Sequence, residues 1–233
     1  MKQLVQQMFW HFKLLHRNHL IAASVVITLF YAALFFFLKD FSNLSYLLTI
    51  LLYNDPALIG LAFVGLSLML EKNEGVFPVW LVSPVNRHSY LLARLLSLSL
   101  IGWACSMGMA LFALGTAFNL WQFSFAIFAT CLLFGMVGII VMSGTTEILM
   151  YVLKLFPVLI LMSLPFLNYF HLTDWSVFQF WPIQGSLDLI VHSYDLTGHL
   201  ANPWWAYLST AIWLGLLYAW AYITFYKNLE KMI

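Results

Sequence analysis

Glu71-Lys72-Asn73-Glu74-Gly75-Val76-Phe77-Pro78-Val79-Trp80-Leu81-Val82-Ser83-Pro84-Val85-Asn86-Arg87 is a charged, proline-marked interruption between two long apolar runs. Irregular backbone carrying this many charges cannot face hydrocarbon, so the segment lies in water or against another protein. The residues around it set the class. Of 233 residues, 63% are hydrophobic, 18% aromatic and only 8% charged, with a mean hydropathy of +0.90. Soluble domains carry about 25% charged and about 45–50% apolar residues. A chain this poor in charge has too little polar surface to cover a soluble core, and it reads as an all-α integral membrane protein. A net charge of +1 gives a nucleic-acid partner no electrostatic support. Cys105 and Cys131 both fall inside apolar runs, and one such pair is neither a disulfide framework nor a metal site.

A spanning helix needs about 20 mostly apolar residues. Six runs qualify, near 20–38, 50–70, 92–117, 122–143, 149–168 and 204–226. The first reads as a retained span, because no small-residue cleavage site follows it. No connection has room for a soluble module, so 1–233 reads as a single membrane domain. With six spans and an internal N-terminus, Lys2, Lys13, Arg17, Lys72, Arg87, Arg94, Lys154, Lys227 and Lys231 fall on the cytoplasmic side, and only Lys39 falls outside. Retention of basic residues on that side fixes the orientation, with both termini cytoplasmic. Asp40, Asp55, Asp174, Asp188 and Asp195 are expected outside.

In segment 1–19, Leu4, Val5, Met8, Phe9, Phe12 and Leu15 recur at helical spacing, with Lys2, Gln6, His11, Lys13 and Arg17 taking much of the other side. That pattern predicts an amphipathic helix lying in the membrane interface. Within the loop 71–88, Pro78 suits the first turn of a helix, where its missing N–H would be unpaired anyway. The spacing predicts a short helix from Pro78 to about Ser83, limited by Pro84, with Phe77, Trp80 and Leu81 as an apolar face directed at a partner.

The loop resembles the coupling segment of the ABC-2 family of ABC-exporter permeases. Glu71, Glu74, Gly75, Leu81, Ser83 and Pro84 match the family's acidic pair, glycine, Leu-rich turn and Ser-Pro. Val76 replaces a frequent Thr, and Trp80 a more usual aliphatic residue, as in a divergent branch. The resemblance implies a six-span permease subunit in a bacterial-type inner membrane, paired with a second copy or a related permease. It implies two separate P-loop ATPase subunits seated on the 71–88 loops, with Phe77, Trp80 and Arg87 among the contacts, and on the N-terminal helices. ATP and Mg would be bound by those partners; the chain itself has no Gly-x-x-x-x-Gly-Lys-[Ser/Thr] and is read as carrying no cofactor. A simple interfacial anchor and an ordinary polar loop are the plainer alternatives for the two segments.

The outer stretch 169–203 holds Trp175, Trp181, Pro182, Gln184, Gly185, Asp188 and Pro203-Trp204-Trp205, an interfacial composition. It predicts a re-entrant or interfacial hairpin, as ABC-2 permeases have, with Trp181 and Pro182 as gate candidates alongside Pro157 and Pro165 in the fifth span. Gly135, Gly138 and Gly144 permit close helix contact in the fourth. Candidate chemistry is thin. His171, His192 and His199 have no ligand spacing, and Ser143-Gly144-Thr145-Thr146 has no adjacent base. No acid or base is expected near the centre of a span, which argues against a proton-driven carrier. Arg94, Glu147 and Lys154 are expected to snorkel at span ends. The aromatic, uncharged spans favour an amphipathic drug, lipid or apolar peptide as cargo. Haem export, a non-transporting scaffold that binds a cytoplasmic partner, and an intramembrane enzyme are the other readings.

Overall fold

A computed structural model describes residues 2–38, 44–81, 86–173, 175–194 and 203–232, and these contain helices and no strand. In chain order the helices are α1 (Lys2–Arg17), α2 (Leu20–Leu38), α3 (Leu44–Leu58), a π segment (Ile59–Phe63), α4 (Val64–Asn73), α5 (Val76–Leu81), α6 (Arg87–Leu114), α7 (Leu120–Ser143), α8 (Ile148–Met162), α9 (Phe166–Tyr169), a 3-10 turn (Ser176–Phe180), α10 (Gln184–Tyr194) and α11 (Pro203–Met232). Among the described residues, five helical stretches are long and apolar enough to cross a membrane: Leu20–Phe37, Tyr46–Asn73, Arg87–Leu114, Leu120–Ser143 and Pro203–Asn228.

α7 is the hub. Nearly three quarters of its apolar window is buried (72%), against 17% for α2 at the rim. It touches α3, the π segment, α4, α6, α10 and α11. Where the π segment crosses α7, the two backbones nearly touch. A Cβ on Gly60 would lie 2.4 Å from the Cys131 carbonyl oxygen, and one on Gly138 would lie 2.5 Å from that of Leu61. Gly144 instead ends α7 and makes no such approach. Large apolar side chains such as Leu29, Phe30, Phe156, Ile160 and Ile223 stay exposed around the bundle, an outer surface suited to lipid.

The run at 149–168 does not form one helix. α8 has 15 residues, about 22 Å at 1.5 Å per residue, short of the ~30 Å hydrocarbon core. Pro157 is accommodated inside α8, but Pro165 has no N–H to continue the ladder, and the chain turns through Ser163–Pro165 before α9. In the stretch 169–203, Gly185 lets α10 sit on α11, where an added Cβ would meet Thr210 Oγ1 at 2.6 Å. Trp181 and Pro182 lie half-buried in the turn leading into α10. Phe180 before them is tied to α11 by the Trp213 indole N–H, 3.1 Å from its carbonyl.

Two expectations about polar residues need correction. α3 begins at Leu44, ahead of the anticipated boundary at 50, so Asp55 stands well inside a spanning helix and is fully buried. His11 is on the buried face of α1, not its polar face. Positions 4, 11 and 15 fall on one side of a helix, so His11 shares the direction of Leu15 and is pressed toward α6.

Candidate functional site

Arg17, Lys72, Arg87, Arg94 and Lys154 gather at one end of the bundle, where α1 ends, α4 gives way to α5 and α6 begins. The root of the interrupting loop is an ion pair. Glu71, on the last turn of α4, is 1% exposed, and its Oε2 accepts from Arg94 Nη2 at 2.6 Å and from the Tyr90 hydroxyl at 2.5 Å. The Arg94 guanidinium also lies over the Tyr90 ring, 4.7 Å from its centroid. Arg94 therefore does not snorkel; it is 9% exposed and joins the second and third spans. Low local dielectric strengthens such a charge-assisted pair and makes either partner costly to leave alone.

Beyond this root the chain reverses at Gly75, whose φ of +69° is left-handed and suits a residue without Cβ. Glu74 is exposed and meets Arg17 at the end of α1 at 3.7 Å, a surface pair of small energetic weight. α5 starts at Val76, two residues before the anticipated Pro78 start, and ends at Leu81. Pro78 is its third residue, where an N–H would still have no intrahelical partner, so the ring is tolerated. Phe77 is buried and meets Phe225 of α11 edge-to-face at 5.8 Å. It anchors α5 to its own bundle, while Pro78 is exposed. For Trp80 and Leu81 only the backbone is described; Ser83 and Pro84 lie outside the described residues.

The far side of the loop is equally tied down. Asn86 caps α6 by accepting from the His88 N–H at 3.0 Å. His88 stacks on Tyr222 at 4.2 Å, with its Nδ1 2.9 Å from the Tyr218 hydroxyl. Tyr226 donates to the Arg87 carbonyl at 2.9 Å, and the Arg87 side chain lies over its ring. Nearby, Lys154 donates to the Gly144 carbonyl at 3.0 Å, while Lys72 reaches the Thr145 and Thr146 carbonyls at 3.4 Å. Those carbonyls follow the C-terminus of α7, the negative end of its dipole, so two ammonium groups belong there. The Ser143–Thr146 stretch is thus a lysine-clasped turn.

His11 lies beside this site with both ring nitrogens buried and without a hydrogen-bond partner. Burial, aided by the nearby Arg94 charge, pushes its pKa down to about 2. A base so depressed is neutral in the folded chain and regains an ordinary value near 6.5 when α1 is released. The released form then binds more protons, so α1 docking weakens as pH falls below about 6.5, by roughly 1.4 kcal/mol per pH unit. Protease release of α1 should therefore rise between pH 7 and pH 5 in the native chain and stay level in His11→Leu; equal acid sensitivity in both would exclude His11 as the cause.

Of the other candidates, His192 lies 3.3 Å from Gln122 Nε2, His171 is exposed, and His199 is outside the described residues. Among the described residues no three His, Cys, Asp or Glu side chains are grouped to hold a metal. Comparison with known proteins gives no match to any family model, curated protein or solved structure.

Proposed function

We propose that this chain is the permease subunit of an ATP-driven exporter of the ABC-2 type, with the basic end facing the cytoplasm and α8 with α9 completing a sixth crossing. The observation that carries the reading is the mounting of α5. A short helix stands between two spanning helices, rooted by the Glu71–Arg94 pair on one side and by the α11 tyrosines on the other. A helix anchored through Phe77 on α11 and preceded by a buried ion pair transmits a push from a partner to the spans, whereas a slack loop absorbs it. Glu74, Gly75, Pro78 and Arg87 are among the exposed described residues available to that partner. Glu71 and Phe77 act from inside, by positioning the helix. The partner is a separate P-loop ATPase carrying ATP and Mg, and a second permease copy completes the pathway. An amphipathic or apolar cargo suits the aromatic spans, in which Glu71 and Arg94 are buried against each other.

The test is co-purification of the tagged chain from its native membrane in mild detergent. A stoichiometric P-loop ATPase is the expected companion. Glu74→Lys and Gly75→Trp should lower its recovery, or its transport-linked turnover, at least severalfold with the chain still in the membrane. Gly75→Trp acts through backbone strain, since no atom lies within 4 Å of the Cβ position. A chain that brings no ATPase, or that tolerates both substitutions, would replace this reading with a non-transporting scaffold.

A further inference from the structure

The carboxyl group of Asp55 lies inside the spanning bundle, on the contact between α3 and α2. Its partner Thr28 falls at the middle of the window Leu20–Phe37, so the pair stands near mid-membrane depth. Asp55 is fully buried, and among the described residues no Lys, Arg or His forms an ion pair with it. An isolated charge at that depth is expensive, and an ionisable side chain there marks a functional site more often than a structural one.

The hydrogen-bond count says more. Thr28 Oγ1 is 3.0 Å from the Ser24 carbonyl oxygen and 3.0 Å from Asp55 Oδ2. A hydroxyl has one hydrogen to donate and two lone pairs. The carbonyl can only accept, and so can an ionised Asp55, so the single Thr28 hydrogen serves two acceptors at once while Asp55 is charged; a protonated Asp55 can instead donate to the lone pairs of Thr28. Both contacts are fully satisfied when Asp55 is the donor, that is, when Oδ2 carries a proton. Removing that proton leaves a carboxylate with one shared donor at most, since Oδ1 has no partner. The seated arrangement of α2 on α3 thus selects the protonated acid.

We propose that Asp55 and Thr28 form a reversible proton-binding site within the membrane bundle, protonated while α2 is seated and deprotonated when α2 moves off and admits water. α2 is suited to such a movement, being the least buried of the spanning helices. The titratable groups facing the site are few and uncharged in their ordinary forms. Tyr31 of α2 is bonded to Asn54, Cys105 of α6 lies near Thr28 and Asp55, Cys131 of α7 is close by, and Tyr53 shares α3. The π segment has no ionisable residue, and those of α10 face elsewhere: Asp188 toward Gln184, His192 toward Gln122 and Tyr194 toward Thr49. The one pH-sensitive group argued for α1, His11, loosens its helix at low pH, opposite in sign to an opening driven by proton loss.

The test uses the purified full chain in lipid nanodiscs and needs no ATPase, so its failure is separate from failure of the exporter reading. Infrared difference spectra across a pH titration should show a protonated-carboxyl band that disappears as pH rises and is absent from Asp55→Asn. In parallel, Cys105 reacts with a membrane-permeant maleimide, read by peptide mass. Dividing the wild-type rate by that of Asp55→Asn removes the thiol's own pH dependence, and this ratio should rise severalfold over the pH range in which the band is lost. Should Asp55→Asn fail to fold, Thr28→Val keeps the acid and must shift the midpoint of the band. A band that does not titrate, or a flat labelling ratio, would overturn the proposal.

Discussion

Glu71→Ala should lower the stability of the bundle by about 3–5 kcal/mol, the usual cost of leaving one member of a buried ion pair without its counter-ion. Arg94 is 9% exposed, and its Nη2 contact to Glu71 is the only ion pair it makes among the described residues. Losing the carboxylate also removes the acceptor that the Tyr90 hydroxyl uses on Glu71. The guanidinium cannot escape by deprotonating, because arginine stays charged in proteins. It must drag water inward or pull α6 away from α4. Glu71→Leu combined with Arg94→Leu removes both charges and should recover most of the loss, since a well-filled apolar pair replaces a buried salt bridge at little or no cost. Thermal unfolding in detergent, followed by tryptophan fluorescence, reads all three variants. A Glu71→Ala protein within about 1 kcal/mol of the native chain would place the pair in water and remove it as the fixed root of α5.

Much of this architecture could be read along the chain, because lipid imposes a simple code. Long apolar runs must be helical to satisfy their backbone groups, and the polar break at 71–87 had to fall between two of them. The amphipathic N-terminal helix and the short helix near Pro78 followed from periodicity and proline chemistry. The failures share one cause: a run of letters gives direction only after the helix start and its neighbours are known. A span begun near position 50 leaves Asp55 close to its outer end, whereas the span Tyr46–Asn73 carries it further in. Placing His11 on the polar face gave weight to its chemistry over its angle, which matches that of Leu15. Arg94 looked like a snorkelling end residue because its partner, Glu71, is 23 residues away in sequence. Phe77 looked like a docking residue because Phe225, which covers it, sits near the other end of the chain. The break at Pro165 was open to reading, since proline ends a helical ladder, but apolar composition carried the run across it.

Gly138→Ala should be among the most damaging single-methyl changes in the described residues, and Gly60→Ala its equal. The crossing of the π segment over α7 is where the hub meets the second span, and there the obstacles are main-chain atoms. The new Cβ at 138 would lie 2.5 Å from the Leu61 carbonyl oxygen, and the one at 60 would lie 2.4 Å from that of Cys131. Neither oxygen can rotate away as a side chain would, so the helices must separate by most of an ångström. That separation would loosen the fully buried residues around the crossing, Leu61, Val64, Phe134 and Ile139 among them. Overfilling a core costs about 1–3 kcal/mol when side chains can adjust, and a backbone obstacle puts these two variants at or beyond the upper end. Two other glycines supply the contrast. Gly135→Ala meets the Leu95 and Val64 methyl groups, which can turn, so its cost should stay inside that range. Gly108→Ala faces open space on α6 and should stabilise the helix by about 0.5–1 kcal/mol through lost backbone freedom. The measured order of melting temperatures should therefore be Gly108→Ala, native, Gly135→Ala, then Gly138→Ala and Gly60→Ala together at the bottom. Gly138→Ala melting with the native chain would mean that α7 and the π segment are not in backbone contact, and the hub described for α7 would have to be rebuilt.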